Sequence, residues 1–232
     1  MKFITKKRVV LFLLFIFPLI CFLILSTGKN NFTKLPIVTA NVIDVSEIDA
    51  TKEVQLKEYV SIICFLGNDV NANRSGLFNL NEKVYKKFTD YKKFQILAIY
   101  PNGKEVEAEK LKEEIGAFTD MQKWVFMASS KEEIEGFYSS FSFNEPLVNL
   151  GSSKAFLVDK NVNLRGRLKN GDGEDVKLFG YNMNSVSELN AKLKDDVKVL
   201  YYEYYAAFKD RTKNTNKADR KEVGLWIKNT LT

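Results

Sequence analysis

Val9 to Leu25 reads VVLFLLFIFPLICFLIL, 17 residues without a charge, and no other stretch constrains the chain so strongly. At about 1.5 Å of rise per residue such a helix covers most of a hydrocarbon core of about 30 Å, and Ser26 and Thr27 can extend it. Pro18 does not disqualify a span, because membrane helices tolerate proline. Lys2, Lys6, Lys7 and Arg8 precede the run, which predicts a cytoplasmic N-terminus and a translocated C-terminal part. A cleaved signal sequence is the competing reading, with Ser26-Thr27-Gly28 as small residues for cleavage. The apolar run is longer than the usual signal core of roughly 7–15 residues, which favours a retained anchor. The expected order is a basic cytoplasmic N-terminus at 1–8, a transmembrane anchor (or signal peptide) at 9–27 and a linker at 28–36. A domain at 37–208 and a basic tail at 209–232 with a short amphipathic segment complete it. The domain is expected outside the cytoplasm, in the periplasm if the cell is Gram-negative.

The remainder is rich in Phe, Tyr, Leu and Val with Lys, Glu, Asp and Asn between them, enough to bury a core. A net charge of +6 is mildly basic, and its lysines are interleaved with glutamates, as in Lys104-Glu105 and Glu109-Lys110. Solvated helix faces have this pattern, whereas nucleic-acid binders gather Arg and Lys into patches with aromatics, so no nucleic-acid partner is expected. The chain has two cysteines and no histidine, and Cys21 lies within the apolar run. Only Cys64 therefore belongs to the domain, which excludes an internal disulfide, a CxxC pair and a Cys/His zinc site. Ser-His-Asp and Cys-His catalysis are excluded too, and no metal or other cofactor is expected.

The domain alternates strand-like and helix-like segments. Ile37–Val45 reads as a first strand, and Tyr59–Leu66 is a continuous apolar run suited to a buried central strand. A polar loop, Gly67–Gly76, precedes a helix over 77–90 with Leu77, Leu80, Val84 and Phe88 at helical spacing. Phe94–Tyr100 is a second buried strand. Glu105–Phe118 is a charged helix with Val106, Leu111, Ile115 and Phe118 on its apolar side. Trp124–Ala128 is a third strand, and Ser129 or Ser130 with Glu132 and Glu133 opens a helix carrying Ile134, Phe137 and Phe141. Lys154–Asp159, a turn at Lys160-Asn161 and Val162–Leu168 predict a hairpin. A long helix from Ser185 has Val186, Leu189, Leu193, Val197, Leu200 and Tyr204 in its apolar stripe. The order predicts a thioredoxin-like α/β sandwich, a central mixed sheet with helices on both faces, after one N-terminal transmembrane helix.

Four segments resemble the SCO/SenC family, the thioredoxin-like copper chaperones of cytochrome c oxidase assembly. They are the strand and loop at 59–76 leading into Glu82–Phe88, the strand Phe94–Tyr100 ending in a proline, Lys123–Ile134, and the hairpin Ala155–Gly166. The resemblance covers about 55–205, and anchored members of the family also begin with one span. Copper-binding members carry two cysteines in the loop after the first central strand and a histidine near the later hairpin. Here Gly67–Gly76 has no cysteine and Val148–Lys154 has no histidine, so no metal-site residue carries over. The resemblance implies a membrane-anchored accessory or binding protein without a metal or redox site, with a partner in respiratory-complex or envelope assembly. The alternatives are a thiol oxidoreductase working through Cys64 alone, and a structural envelope protein.

The remaining candidates are surface groups. Asp69, Asn71, Asn73 and Arg74 occupy the loop where a thioredoxin-like active site would lie. One carboxylate and two amides fall short of the six to eight oxygens that Ca²⁺ takes, so Asp69, Asn71 and Arg74 are expected as partner contacts. Asp172, Glu174 and Asp175 beside Gly171 and Gly173 read as a turn. Glu113-Glu114 and Glu132-Glu133 point apart on their helices and read as surface charge. Trp226 in the tail is a further candidate contact, to the domain itself, a partner or a membrane surface.

Overall fold

A strand with no polar face must be covered on both sides, and the uninterrupted run VSIICFL becomes the centre of a seven-stranded mixed sheet. The fold comes from a computed structural model that describes residues 6–27, 34–48, 53–169 and 175–207. The N-terminus up to residue 5, the segments 28–33, 49–52 and 170–174, and the tail from 208 lie outside the described residues. So do most of the expected linker, the turn around Asp172 and Glu174, and Trp226.

The chain divides into two units, Met1–Thr33 and Lys34–Thr232. The first holds one helix, α1 (Lys6–Thr27), with Pro18 inside it. Its side chains are described over Val10–Ile24, and most of these are exposed. Among the described residues, no helix is long and apolar enough to cross a membrane. The structure thus bears out a helix over the expected anchor, but not its membrane-spanning character.

The second unit contains β1 (Ile37–Thr39), β2 (Val60–Leu66), α2, β3 (Phe94–Pro101), α3 (Glu105–Gly116), β4 (Trp124–Ser129) and α4 (Lys131–Ser139). β5 (Gly151–Val158), β6 (Leu164–Arg165), β7 (Arg167–Lys169), β8 (Asp175–Leu178), β9 (Tyr181–Asn182) and α5 complete it. α2 comprises Arg74–Leu80, a π-helical turn at Asn81–Tyr85, and Lys86–Phe88. α5 begins at Val186, makes a π-helical turn at Leu189–Leu193 and continues to 207.

The sheet order is β1-β6-β5-β2-β3-β4, with β9 also on β5. β2, β3 and β4 are parallel, with Ile62 opposite Ile96 and Ala98 opposite Phe126. β5 is antiparallel to β2, with Ile62 opposite Leu157. A parallel βαβαβ unit closed by an antiparallel hairpin is the thioredoxin-type order expected from the sequence.

Alternation along β2 assigns the two layers. Val60, Ile62, Cys64 and Leu66 join one core, covered by α2, α3 and α5 through Leu80, Leu111, Leu193 and Val197 among others. Ile63 and Phe65 join the other, covered by α4 and the segment holding Val42, Val45 and Leu56. There Phe65 lies 5.2 Å edge-on to Tyr138 and 6.0 Å from Phe137, Phe141 and Phe156.

Three local expectations are corrected. The strand expected over Ile37–Val45 stops at Thr39, because Asp44 folds the chain back. Its carboxylate accepts from the Ser46, Leu56 and Lys57 amides. On α3 the buried stripe is Ala108, Leu111 and Ile115, whereas Val106 (81% exposed) and Phe118 (66%) face solvent. Val106 lies off that stripe, and Phe118 lies past the helix end, edge-on to Phe78 at 6.2 Å. The hairpin's second strand splits at Gly166, where a side chain would strike the Leu178 carbonyl, and β7 pairs with β8 in a separate sheet.

Candidate functional site

Because β2, β3 and β4 run parallel, the loops after them gather at one edge of the sheet, and antiparallel β5 starts from the same edge. In open α/β sheets this carboxyl edge is where ligands bind. Two segments build it, the loop 67–73 after β2 and the loop 145–150 before β5.

They meet through backbone. Gly67 has φ +76°, and a Cβ there would sit 2.7 Å from both the Asn149 carbonyl oxygen and the Gly151 nitrogen. The Asn68 amide donates to the Asn149 carbonyl at 2.8 Å. Val148 and Gly151 exchange two hydrogen bonds of 2.8 and 2.9 Å around a turn whose central residues, Asn149 and Leu150, have φ of 50° and 64°. Leucine rarely takes that conformation, so the turn stores backbone strain. Behind it the Asn73 amide donates to the Phe65 carbonyl at 3.3 Å.

The turn forms a ridge between two depressions. One, of about 310 Å³, lies toward the 67–73 loop and includes Asp69, Glu145, Val148 and Ser152. The other, of about 440 Å³, lies toward α4 and includes Asn68, Lys131, Tyr138 and Leu150. Pro146 and Asn149 belong to both, and Val148 on the crest is 74% exposed. The Tyr138 hydroxyl donates to the Glu145 carbonyl at 2.6 Å, and the Lys154 ammonium pairs with the Glu145 carboxylate at 2.7 Å. Burial, reinforced by the charge of Glu145, pushes the Tyr138 phenol up to about 12.

The sequence candidates separate here. Asp69 lines the cleft and caps the turn after Gly67, its carboxylate accepting from the Asn71 amide at 3.2 Å. Asn71 is exposed outside the lining. Arg74 is drawn toward α3, pairing with Glu114 at 2.7 Å and lying 5.4 Å over the Phe78 ring. Cys64 is fully buried in β2, between Ala98 of β3 and Ala155 of β5, and desolvation holds its thiol far above the ordinary range. Among the described residues, no three of His, Cys, Asp or Glu gather to hold a metal ion.

Sequence reasoning passed over the residues that shape the cleft, Gly67, Glu145, Val148, Asn149 and Leu150. Only Gly67, a glycine directly after a buried strand, carried a usable signal. The cleft presents amide, hydroxyl and carboxylate groups around an exposed apolar crest. That chemistry suits hydrogen bonding to another chain.

No protein-family model matches this chain, and no curated protein matches it. Similar solved structures include a putative protein disulfide isomerase from Bacteroides thetaiotaomicron, at 12% identity and TM-score 0.46, covering 76% of this chain and 99% of that one. BsSco, a member of the Sco family of cytochrome c oxidase assembly proteins, is similar at 15% identity and TM-score 0.45, covering 72% and 95%. Apo Sco1 from Thermus thermophilus is similar at 15% identity and TM-score 0.43, covering 74% and 100%. At these levels none assigns a function, and the thioredoxin-type order rests on the strand topology.

Proposed function

We propose that the chain is a membrane-anchored, extracytoplasmic accessory protein that binds a protein partner at the carboxyl-edge cleft and performs no thiol or metal chemistry. The observation that carries this reading is the placement of Cys64. The domain's single cysteine is sealed under α2 on a central strand, while the loop where thiol chemistry would sit is a polar wall knitted to the 148–151 turn. A thiol reacts as its thiolate and only when reached, and burial denies Cys64 both conditions.

The anchor reading is supported by α1, whose 22 residues amount to about 33 Å of helix and contain the charge-free run. The basic residues before that run favour translocation of the domain beyond it. The resemblance to SCO/SenC proteins suggests a partner in respiratory-complex or envelope assembly, a step of analogy beyond the geometry of the cleft.

A thiol count tests the chemical half of the proposal. In a Cys21→Ala chain, leaving Cys64 as the only thiol, a maleimide at neutral pH is expected to leave the native protein almost unmodified. It should add one equivalent after denaturation. Complete modification of the native protein would make Cys64 a reactive group and sink the non-catalytic reading.

A further inference from the structure

The opposite edge of the sheet has a different chemistry. Here β2 and β3 begin and β5 ends, so the segments 57–59, 89–93 and 159–163 gather with the last turns of α5. Tyr91 meets Tyr201 edge-on at 4.5 Å, and the Tyr201 hydroxyl lies 3.5 Å from the Lys92 and Lys93 carbonyls. The Lys93 ammonium sits 4.5 Å over the Tyr59 ring, and the Lys160 ammonium 3.9 Å over Tyr204. Tyr91, Tyr202 and Tyr205 turn outward at 37%, 51% and 68% exposure. Lys57 and Lys92 are exposed beside them.

The charge on these segments is lopsided. Lys57, Lys92, Lys93 and Lys160 face Glu58, which lies 3.8 Å from Lys93, and the exposed Asp90. Asp159 and Glu203 are buried and committed to Arg165, and Glu203 also to Leu35. Leu35 is the first buried residue of the domain and is held on this edge by Glu203 and Arg165. From Thr27, where α1 ends, to Lys34 is seven residue steps, at most about 25 Å of chain.

We propose that this amino-edge face, with Tyr91, Tyr202 and Tyr205 among Lys57, Lys92 and Lys93, rests on an anionic bilayer surface. The inference extends the anchor reading and relies on it for the nearness of the bilayer. Tyrosine and lysine both have apolar bodies with polar tips, the residue type that settles at the headgroup level. The lysine excess matches negative lipid, and the short tether from α1 keeps this edge near a surface in which that helix is embedded. Such a placement leaves the carboxyl-edge cleft, at the far end of the strands, turned toward the surrounding compartment.

Hydrogen exchange on the full chain in vesicles tests it, comparing phosphatidylcholine alone with phosphatidylcholine plus phosphatidylglycerol. In anionic vesicles the amides of 57–59 and 89–93 are expected to exchange about fivefold more slowly than in neutral ones, the equivalent of one lysine–headgroup contact. The 145–150 loop should be unaffected. Raised salt, or the double change Lys57→Glu and Lys92→Glu on exposed side chains, should abolish the difference. Equal exchange in both vesicles overturns the proposal. So does protection that tracks protein concentration rather than lipid charge, which would mark a contact between copies. An alkaline carbonate wash of the same vesicles reads the anchor separately. Retention of the chain with no edge protection rejects this face alone, whereas release of the chain rejects the anchor.

Discussion

Arg165→Ala is expected to destabilise the domain by about 3–5 kcal/mol, the usual result of removing one partner from a buried ion pair. The guanidinium lies between two carboxylates, 2.5 Å from Glu203 and 2.9 Å from Asp159, with Arg165 and Asp159 side chains only 8% and 2% exposed. The Nε contact to Asp159 has ion-pair distance without hydrogen-bond alignment, so the tighter hold is on Glu203 and on the Leu35 carbonyl. Asp159 meanwhile accepts from the Asn161 and Asn163 amides and shapes the hairpin turn, and Glu203 accepts from the Leu35 amide. Alanine would leave both carboxylates buried without a counter-charge and would release the start of the domain from α5. Urea unfolding of the full chain in detergent, monitored by circular dichroism, measures the loss. Combining Arg165→Met with Asp159→Asn and Glu203→Gln should recover most of it, because the cost lies in uncompensated charge. A single Arg165→Ala within about 1 kcal/mol of the parent would mean the pairs are solvated and contribute as surface pairs do.

Gly67→Ala is expected to cost about 2–4 kcal/mol, summing a left-handed backbone with two contacts that cannot relax. The atoms a methyl group would strike, at 2.7 Å, are the Asn149 carbonyl oxygen and the Gly151 nitrogen. Both belong to backbone already fixed by the Val148–Gly151 exchange and by the register of Leu66 against Gly151. The substitution would thus push the two walls of the cleft apart. Thermal unfolding reads the stability, and hydrogen exchange should show faster opening at 68–73 and 148–151 than elsewhere. Gly103, whose φ is +88° but which has nothing within 4 Å, serves as the control. Its alanine variant should carry the conformational part of the cost alone.

Much of the fold was legible because the central strands are buried on both faces and write continuous apolar runs. Val60–Leu66 and Phe94–Pro101 are fully buried, close to where the runs placed them. Ser130 and Glu133 form the reciprocal cap expected where α4 begins. The stripe Leu189, Leu193, Val197 and Leu200 is buried as its spacing required. The failures arose where tertiary contact overrode local pattern. Val106 and Phe118 fit a helical period drawn by eye, but the packed phase of α3 runs through Ala108, Leu111 and Ile115. The hairpin splits because Gly166 meets the Leu178 carbonyl, a partner distant in sequence.

The cleft was harder still. Asn149-Leu150 carries no turn signature, since leucine opposes the conformation it adopts, and only the strands on either side impose it. The π-helical turns at Asn81–Tyr85 and Leu189–Leu193 left no mark in the apolar spacing. Among the described residues the first holds a fully buried amide, Asn81, with neither side-chain atom hydrogen-bonded. Cys64 was readable as a core thiol from its neighbours Ile62, Ile63 and Phe65, and the structure places it in the core.

The central claim is that the carboxyl-edge cleft works by protein contact, and site-specific photocrosslinking from its crest tests it most directly. A benzophenone side chain replacing Val148, 74% exposed between the two depressions, would be activated in intact cells carrying the full chain. The same group replacing Val106 on α3, 81% exposed and outside both depressions, is the control. The account predicts one discrete crosslinked protein from position 148, absent from position 106 and diminished by Gly67→Ala. No crosslink from 148, or the same crosslinks from both positions, would contradict it.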